Sequence, residues 1–326
     1  MSAGLIIVVL LLAFVGTPVL GLVFKWVDRL LTARIQWRKG PPFYQPFADI
    51  MKLLGKETLV GERASVGTFL FAPMLGFIGI TVSAAILWAV VLKPDAGFVG
   101  DLIIVVYFLV FPAMGIILGG SASGTPHGGL GASREMKLVV AYELPFILAL
   151  AAIVLNATTV LNAAGVLSAE RFVPSFKFAQ IHDAQVSGPL LGSVSGFLAF
   201  LCVLAVMQAK LGVVPFDQAE AETELMGGAI MEYSGPALAL IYLSRAMLLF
   251  LMPMFVITVF WGGLAFAGWG LLWTILKFVV LLIVIVLMRN TNARLRIDQA
   301  MTFFWFVVTP VALVACAISL HAFRGS

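Results

Sequence analysis

The sequence predicts an all-α integral membrane protein of about eight transmembrane helices, with amphipathic or re-entrant helices on its cytoplasmic face. Three observations carry this. The 326 residues are 62% hydrophobic and 11% charged, whereas soluble domains carry roughly 25% charged residues. Apolar runs long enough to span a bilayer, about 20 residues each, recur along the whole chain. The few charges collect in alternate connecting segments. No internal repeat is apparent, so residues 1–326 read as one polytopic membrane domain.

The apolar runs fall at 3–24, 67–92, 101–119, 137–158, 191–211, 236–258, 265–288 and 302–322. The first has no basic segment before it and no small-residue cleavage site after it, so it reads as a retained helix rather than a leader. In the seventh, Trp261-Gly262-Gly263 to Gly268-Trp269-Gly270 reads as a tight turn or a broken helix, with both tryptophans suited to a membrane interface.

Fourteen of the 20 Lys and Arg residues lie in the first, third, fifth and seventh loops, and four on the other side. The positive-inside rule then puts the odd-numbered loops in the cytoplasm and both termini outside. Arg245 and Lys277 remain within spans. A net charge of +4 in such a chain reflects topology, not nucleic-acid binding. Cys202 and Cys316 sit in apolar runs, and His127, His182 and His321 are widely separated. No metal-ligand constellation is visible, and no redox centre is expected on this chain.

The odd-numbered loops hold the unusual sequence. In the first, Gly40-Pro41-Pro42 marks a turn, and Phe43, Phe47, Ile50, Met51 and Leu54 follow at helical spacing. This predicts a short amphipathic helix, either a lipid-surface anchor or a docking platform for a soluble partner. The third loop, from Gly119 to Lys137, is rich in glycines that permit close backbone approach, without the GK[ST] of a phosphate loop. Beyond it, Glu143 lies about two turns inside the fourth span beside Pro145. A carboxylate there is a functional candidate, or it pairs with a Lys or Arg of a neighbouring helix.

The fifth loop carries Asp217, Glu220, Glu222, Glu224 and Glu232 against a single Lys210. With Pro215 suited to a first turn, residues 217–224 are expected to be helical. Spacings of three and seven would set Asp217, Glu220 and Glu224 on one face, with Glu222 turned away. Carboxylates so crowded repel one another unless basic groups compensate. They are either a proton relay or a solvated acidic face. In the seventh loop, Arg294 and Arg296 near Asp298 are counter-charges for that acidic segment or topology determinants.

Four loops match one family in order. The residues are Arg38-Lys39-Gly40-Pro41 with Gln45-Pro46-Phe47-Ala48-Asp49 and Lys52-Leu53; Gly131-Ala132 with Arg134 and Tyr142-Glu143-Leu144-Pro145; Pro215-Phe216-Asp217 with Glu220, Glu222, Glu224 and Glu232-Tyr233-Ser234; and Arg294-Leu295-Arg296 with Asp298-Gln299. The chain resembles the H subunit of respiratory complex I (NADH dehydrogenase subunit 1 in mitochondria) and its relatives in energy-converting nickel–iron (NiFe) hydrogenases. The resemblance implies the heel of a membrane arm, where a soluble redox arm docks and a polar path towards ion pumping begins. It implies a proton-relay role for Glu143, Asp217, Glu220, Glu222, Glu224 and Glu232, to which Arg245 and Lys277 are added as span-embedded bases. It implies a partner-docking role for Arg34, Arg38, Lys39, Gln45, Asp49, Lys52, Arg134, Arg294, Arg296 and Asp298.

Two departures separate the branches. Only Pro42-Phe43-Tyr44 stand between Gly40-Pro41 and Gln45, whereas complex I has a longer segment that helps frame its quinone channel. Ser244-Arg245 stands where complex I usually has a relay glutamate. The compact form resembles the hydrogenase branch, which includes formate hydrogenlyase and carbon-monoxide-linked enzymes. The implied partners are hydrogenase large and small subunits, a ferredoxin-like iron–sulfur subunit and antiporter-like membrane subunits, in a prokaryotic inner membrane. The nickel–iron centre and iron–sulfur clusters would lie on those partners. The alternative is a quinone-site subunit of a complex I-type NADH:quinone oxidoreductase.

Overall fold

The computed structural model describes residues 3–94, 97–98, 100–163, 176–186, 188–220, 222–266 and 268–325. Among the described residues, seven helices are long and apolar enough to cross a membrane: α1 (Ala3–Ile35), α3 (Val66–Leu92), α4 (Asp101–Ala122), α5 (Pro126–Ala163), α9 (Gly235–Phe260), α10 (Trp269–Thr291) and α11 (Ile297–Arg324). A shorter apolar helix, α7 (Val194–Lys210), is the eighth. Three small helices complete the set: α2 (Gln45–Leu54), α6 (Phe178–Gln185) and α8 (Glu222–Leu225). No strand occurs among the described residues.

α9 is the central helix. It is buried without a break from Ala246 to Phe260, as expected of a helix that is apolar on every side. α1, α10 and α11 lie at the periphery. Ile7, Leu10, Leu11 and Phe14 of α1 and Phe306 of α11 are all more than 40% exposed, which presents an apolar rim to lipid.

Proline positions shape the long helices. Pro18 and Pro310 each follow a threonine, and each Thr-Pro pair sits just after a π-helical turn, Leu12–Gly16 in α1 and Phe304–Val308 in α11. Proline has no N–H and its ring crowds the carbonyl one turn back. The widened turn relieves this, and the threonine hydroxyl takes up a freed carbonyl. Thr17 Oγ1 donates to Leu12 O at 3.0 Å and Thr309 Oγ1 to Phe304 O at 2.8 Å. α4 is interrupted at Leu109–Val110, just before Pro112, a break not anticipated in the third apolar run.

Small residues let helices approach closely, the usual basis of helix association in lipid. A Cβ on Gly21 of α1 would lie 2.5 Å from Ala246 O of α9. One on Gly131 of α5 would lie 2.6 Å from Ala229 N and 2.7 Å from Ala219 O. The second approach seats the acidic segment against α5.

The connecting segments meet at two opposite ends. At one end Ser65 N–H donates to Ala122 O, Leu59 N–H to Ser234 Oγ, and Leu295 N–H to Pro215 O. The first, third, fifth and seventh loops thus converge, and this is called the basic end. At the other, Phe178 N–H donates to Asp101 Oδ1 and Gln185 Nε2 to Thr258 O and Val259 O.

Several boundaries differ from the sequence expectation. α1 continues to Ile35, so Lys25, Arg29 and Arg34 lie on a helix rather than in a loop. α5 begins at Pro126, which makes most of the glycine-rich third loop helical and sets Glu143 seventeen residues, more than four turns, inside the helix. Gly128 and Gly131 there serve close packing, not loop flexibility. Residues 261–268 form the link between α9 and α10, a turn and not a broken helix, among those described.

Gly131→Val is expected to force the acidic segment off α5 and to destabilise the protein by about 1–3 kcal/mol, the usual range for overpacking. Gly129→Val on the same helix, where a Cβ would meet nothing within 4 Å, is the control. Thermal unfolding of the detergent-solubilised protein measures both.

Candidate functional site

The acidic segment is not a helix from 217 to 224. Residues 211–220 run through turns, and helix resumes only in the single turn α8. The reason is that several of its carbonyls bond to groups outside the run instead of to the next helical turn. Pro215 O accepts from Leu295 N–H, Asp217 O from the Arg294 guanidinium, Ala219 O from Ala229 N–H and Glu220 O from Gly227 N–H. The Gln218 side chain adds a bond to Leu295 O at 2.8 Å. Tertiary bonds thus outweigh local helical preference.

The carboxylates therefore point to different partners rather than sharing one face. Glu220 pairs with Arg245 of α9, Glu224 with Arg134 of α5, and the Asp217 carboxylate lies 3.9 Å from Arg294. The backbone of Glu222 belongs to α8, while its side chain lies outside the described residues. Glu232 is half-buried just before α9 and has no ion pair within 4 Å among the described residues. Of the two basic residues expected as counter-charges, Arg294 serves and Arg296 is exposed. The other cations come from Arg134 and Arg245, one on a helix read as loop and one inside a span.

Glu143 pairs with Lys210 at the end of α7. The Lys210 side chain is 1% exposed, and its ammonium lies 5.0 Å from the Tyr142 ring centre and 4.7 Å from that of Phe146. A carboxylate and two aromatic faces thus share the desolvated cation. Of the two readings of Glu143, pairing to a neighbouring helix is what the geometry contains.

A residue not singled out in the sequence joins this group. Glu135 of α5 is 5% exposed and has no ion-pair partner within 4 Å among the described residues. It lines a narrow cavity of about 20 Å³ together with Lys210, Asp217 and Arg245. That is room for roughly one water molecule, which requires about 10–15 Å³ and two to four polar neighbours. The available signal was heptad spacing: seven residues separate Glu135 from Tyr142, so both lie on one face of α5. It was lost because the segment looked like loop.

The cluster is a chain of charges at the basic end: Glu143–Lys210, the cavity with Glu135 and Asp217, then Arg245–Glu220. Arg245 interacts electrostatically with Glu135 and Asp217 as well as Glu220. Arg245 thus feels three carboxylates, one of them, Glu220, in direct contact and another, Asp217, also beside Arg294. Glu220 alone of the three is in direct contact with the guanidinium, and the carboxyl and ammonium groups beside the cavity are groups able to take up or release a proton.

Lys277 stands apart. It donates to Trp261 O at 2.5 Å and Gly263 O at 3.2 Å, at the other end of α9. Trp261 is sixteen residues from Arg245, about 24 Å along a helix, so Lys277 caps helix-end carbonyls away from the cluster.

Among the predicted docking residues, Arg34, Arg38, Lys39, Lys52, Arg296 and Asp298 are exposed at the basic end. Asp49 instead accepts from Arg29 at 2.8 Å and from Gln45 at 3.0 Å, which fastens α2 to α1. Trp26 Nε1 donates to Pro41 O at 3.1 Å and fixes the Gly40-Pro41-Pro42 stretch. Tyr233 donates to Phe69 O at 2.9 Å, and its ring stacks on Phe69 at 4.1 Å. Burial raises the Tyr233 hydroxyl above its ordinary pKa.

The hydrogen bond from Arg134 holds the Glu224 carboxyl below the usual glutamate range. A depressed folded-state pKa contributes stability above the unfolded value, roughly 4.3, and loses it as pH falls through the folded value. The Arg134–Glu224 bond should accordingly persist on mild acidification and break only below the ordinary glutamate range. Limited proteolysis at residues 222–228 across an acid titration reads this out.

Lys210→Met is expected to cost about 3–5 kcal/mol, the usual penalty for stranding one member of a buried ion pair. Adding Glu143→Gln should recover much of that loss. A double-mutant cycle by thermal unfolding measures the coupling.

The family model described as NADH dehydrogenase matches residues 6–320. The H subunit of the NADH-quinone oxidoreductase of Dehalococcoides mccartyi is 31% identical over 97% of this chain and 85% of its own. That of Thermomicrobium roseum is 34% identical over 89% of this chain and 87% of its own. Among solved structures, a chain of the membrane-bound sulfane sulfur reductase, an archaeal respiratory membrane complex, matches with a TM-score of 0.80 at 26% identity, covering 96% of this chain and 99% of that one.

Proposed function

Because the chain belongs to the NADH dehydrogenase family that includes the H subunits of NADH-quinone oxidoreductases, we propose that it is the anchor and coupling component of a multisubunit redox complex in a prokaryotic cytoplasmic membrane. The basic end faces the cytoplasm and receives a soluble redox arm. The charge chain behind it links electron transfer in that arm to movement of H⁺ or Na⁺ through antiporter-like partners.

The observation that carries this reading is the single Arg245 guanidinium set among Glu220, Glu135 and Asp217. In a bilayer, ionisable groups are expensive, and their presence marks ion and proton pathways by default. A purely structural anchor needs matched pairs only. Here Glu135 adds a buried carboxylate beyond the paired ones, beside a cavity sized for a water.

The redox arm is of the energy-converting nickel–iron hydrogenase type, with its metal centre and iron–sulfur clusters on partner chains. The compact Gly40-Pro41-Pro42 turn and the arginine at 245 support this branch. Arg34, Arg38 and Lys39 are exposed around that turn and serve as docking contacts. The second reading, a quinone-site subunit, is favoured by the names of the relatives and by a cavity of about 570 Å³ between α1, α2 and α9. Inhibitor-sensitive quinone reduction by the purified complex would select it.

The test is uncoupling. Asp217→Asn, Glu143→Gln and Glu135→Gln are expected to abolish or strongly reduce ion translocation in proteoliposomes, while hydrogenase turnover with an artificial dye stays largely intact. Unchanged translocation in all three variants would sink the relay.

A further inference from the structure

The 570 Å³ cavity at the basic end is walled by charge of unequal sign. Six cations line it: Lys25, Arg29, Lys52, Lys56, Arg245 and Arg289. Only three carboxylates do, Asp28, Asp49 and Glu220. Each acid is already engaged. Asp28 holds Arg289 at 3.0 Å and Lys25 at 3.5 Å, Asp49 holds Arg29 at 2.8 Å, and Glu220 holds Arg245. Lys52 and Lys56 have no carboxylate within 4 Å among the described residues. The wall therefore carries three positive charges in excess.

The rest of the lining is mostly apolar, with Leu22 of α1, Pro46, Ile50 and Leu53 of α2 and Ala246 of α9, and Tyr242 adds a phenol. α2 is the amphipathic helix, and its Met51 and Leu54 are 69% and 49% exposed, as for a helix lying at a bilayer surface. A cavity lined by both cations and apolar side chains, and walled on one side by an interfacial helix, fits an amphiphile with an anionic head. Its size is in the range of about 300–1,000 Å³ common for bound small molecules. A neutral quinone head gains little from a wall with three positive charges in excess, two of them on Lys52 and Lys56, unpaired among the described residues, whereas a phosphodiester does.

We propose that this cavity binds an anionic phospholipid, its phosphate between Lys52, Lys56 and Lys25 and the start of an acyl chain along Leu22, Ile50 and Leu53. Basic pockets between membrane helices on the cytoplasmic side recognise such headgroups. The Arg245–Glu220 pair belongs to the same wall, so the charge of the bound phosphate acts on that pair across the cavity. The lipid is then both a filler of the cavity and a bias on the charge chain. This assignment is independent of which redox arm the protein carries.

The test uses the full-length chain purified in detergent, stripped of lipid, and titrated with phosphatidylglycerol or phosphatidylcholine of identical acyl chains under native mass spectrometry. One phosphatidylglycerol should be retained where phosphatidylcholine is lost. Lys52→Gln with Lys56→Gln, both at exposed positions, should weaken phosphatidylglycerol retention by about tenfold or more, given the contribution of each surface lysine to anionic-lipid binding. Inorganic phosphate at the same concentration should not displace the lipid, and menaquinone should not compete with it. Equal retention of the two lipids, or undiminished retention by the double variant, would overturn the proposal. Displacement by inorganic phosphate would make this a free-anion site, and displacement by menaquinone a quinone site, and either would overturn it as well.

Discussion

The basic end of this bundle depends on one guanidinium. Arg245 projects from α9 just before the unbroken buried stretch that begins at Ala246. Its carboxylate partner, Glu220, comes from a segment that forms little regular structure of its own. A charge in that position must be matched, since stranding one member of a buried pair is far more costly than lacking the pair. The match ties the acidic turns to the central helix. Arg294 and the Leu295 backbone tie the same turns to the start of α11, and Arg134 ties them to α5. Remove the cation and Glu220 is left without its ion-pair partner, while the ties to α5 and α11 remain.

Close packing makes that geometry attainable. α5 can receive residues 219 and 229 only because position 131 has no side chain. α1 can approach α9 beside Arg245 only because position 21 has none. The same closeness excludes bulk water and leaves a cavity for about one molecule among Glu135, Lys210, Asp217 and Arg245. Low local polarity strengthens every interaction inside it. The charge chain and the small-residue contacts are therefore one construction: the glycines set the spacing, and the spacing sets how strongly each acid feels the shared arginine.

Much of the fold was legible from apolar run length, because a helix that spans lipid must satisfy all its backbone groups internally. The seven spanning helices and the shorter α7 follow from that rule; the helix at 45–54 follows from apolar residues at helical spacing, and the stretch at Trp261 was open to a turn or a broken helix. Helix ends were less legible. Lys25 to Arg34 and His127 to Lys137 are polar, so they read as loop, yet the helices continue beyond the apolar core at the basic end. The acidic segment was misread for the opposite reason. Its residues suit a helix, but its carbonyls are claimed by Leu295, Arg294, Ala229 and Gly227, and single-chain spacing carries no trace of those bonds. Glu135 lies in that polar first part of α5, where the sequence alone reads as loop. Lys277 was grouped with the acids because both are charges in spans, whereas depth along α9 separates them.

Coupling through this cluster requires that Glu135 be a proton-accepting member of the charge chain governed by Arg245. Redox-triggered infrared difference spectroscopy of the assembled complex tests it directly. A protonated-carboxyl C=O signal is expected to appear or shift on reduction, to shift in D₂O, and to disappear in Glu135→Gln. A complex without such a signal, or a signal unchanged in Glu135→Gln, would contradict that role.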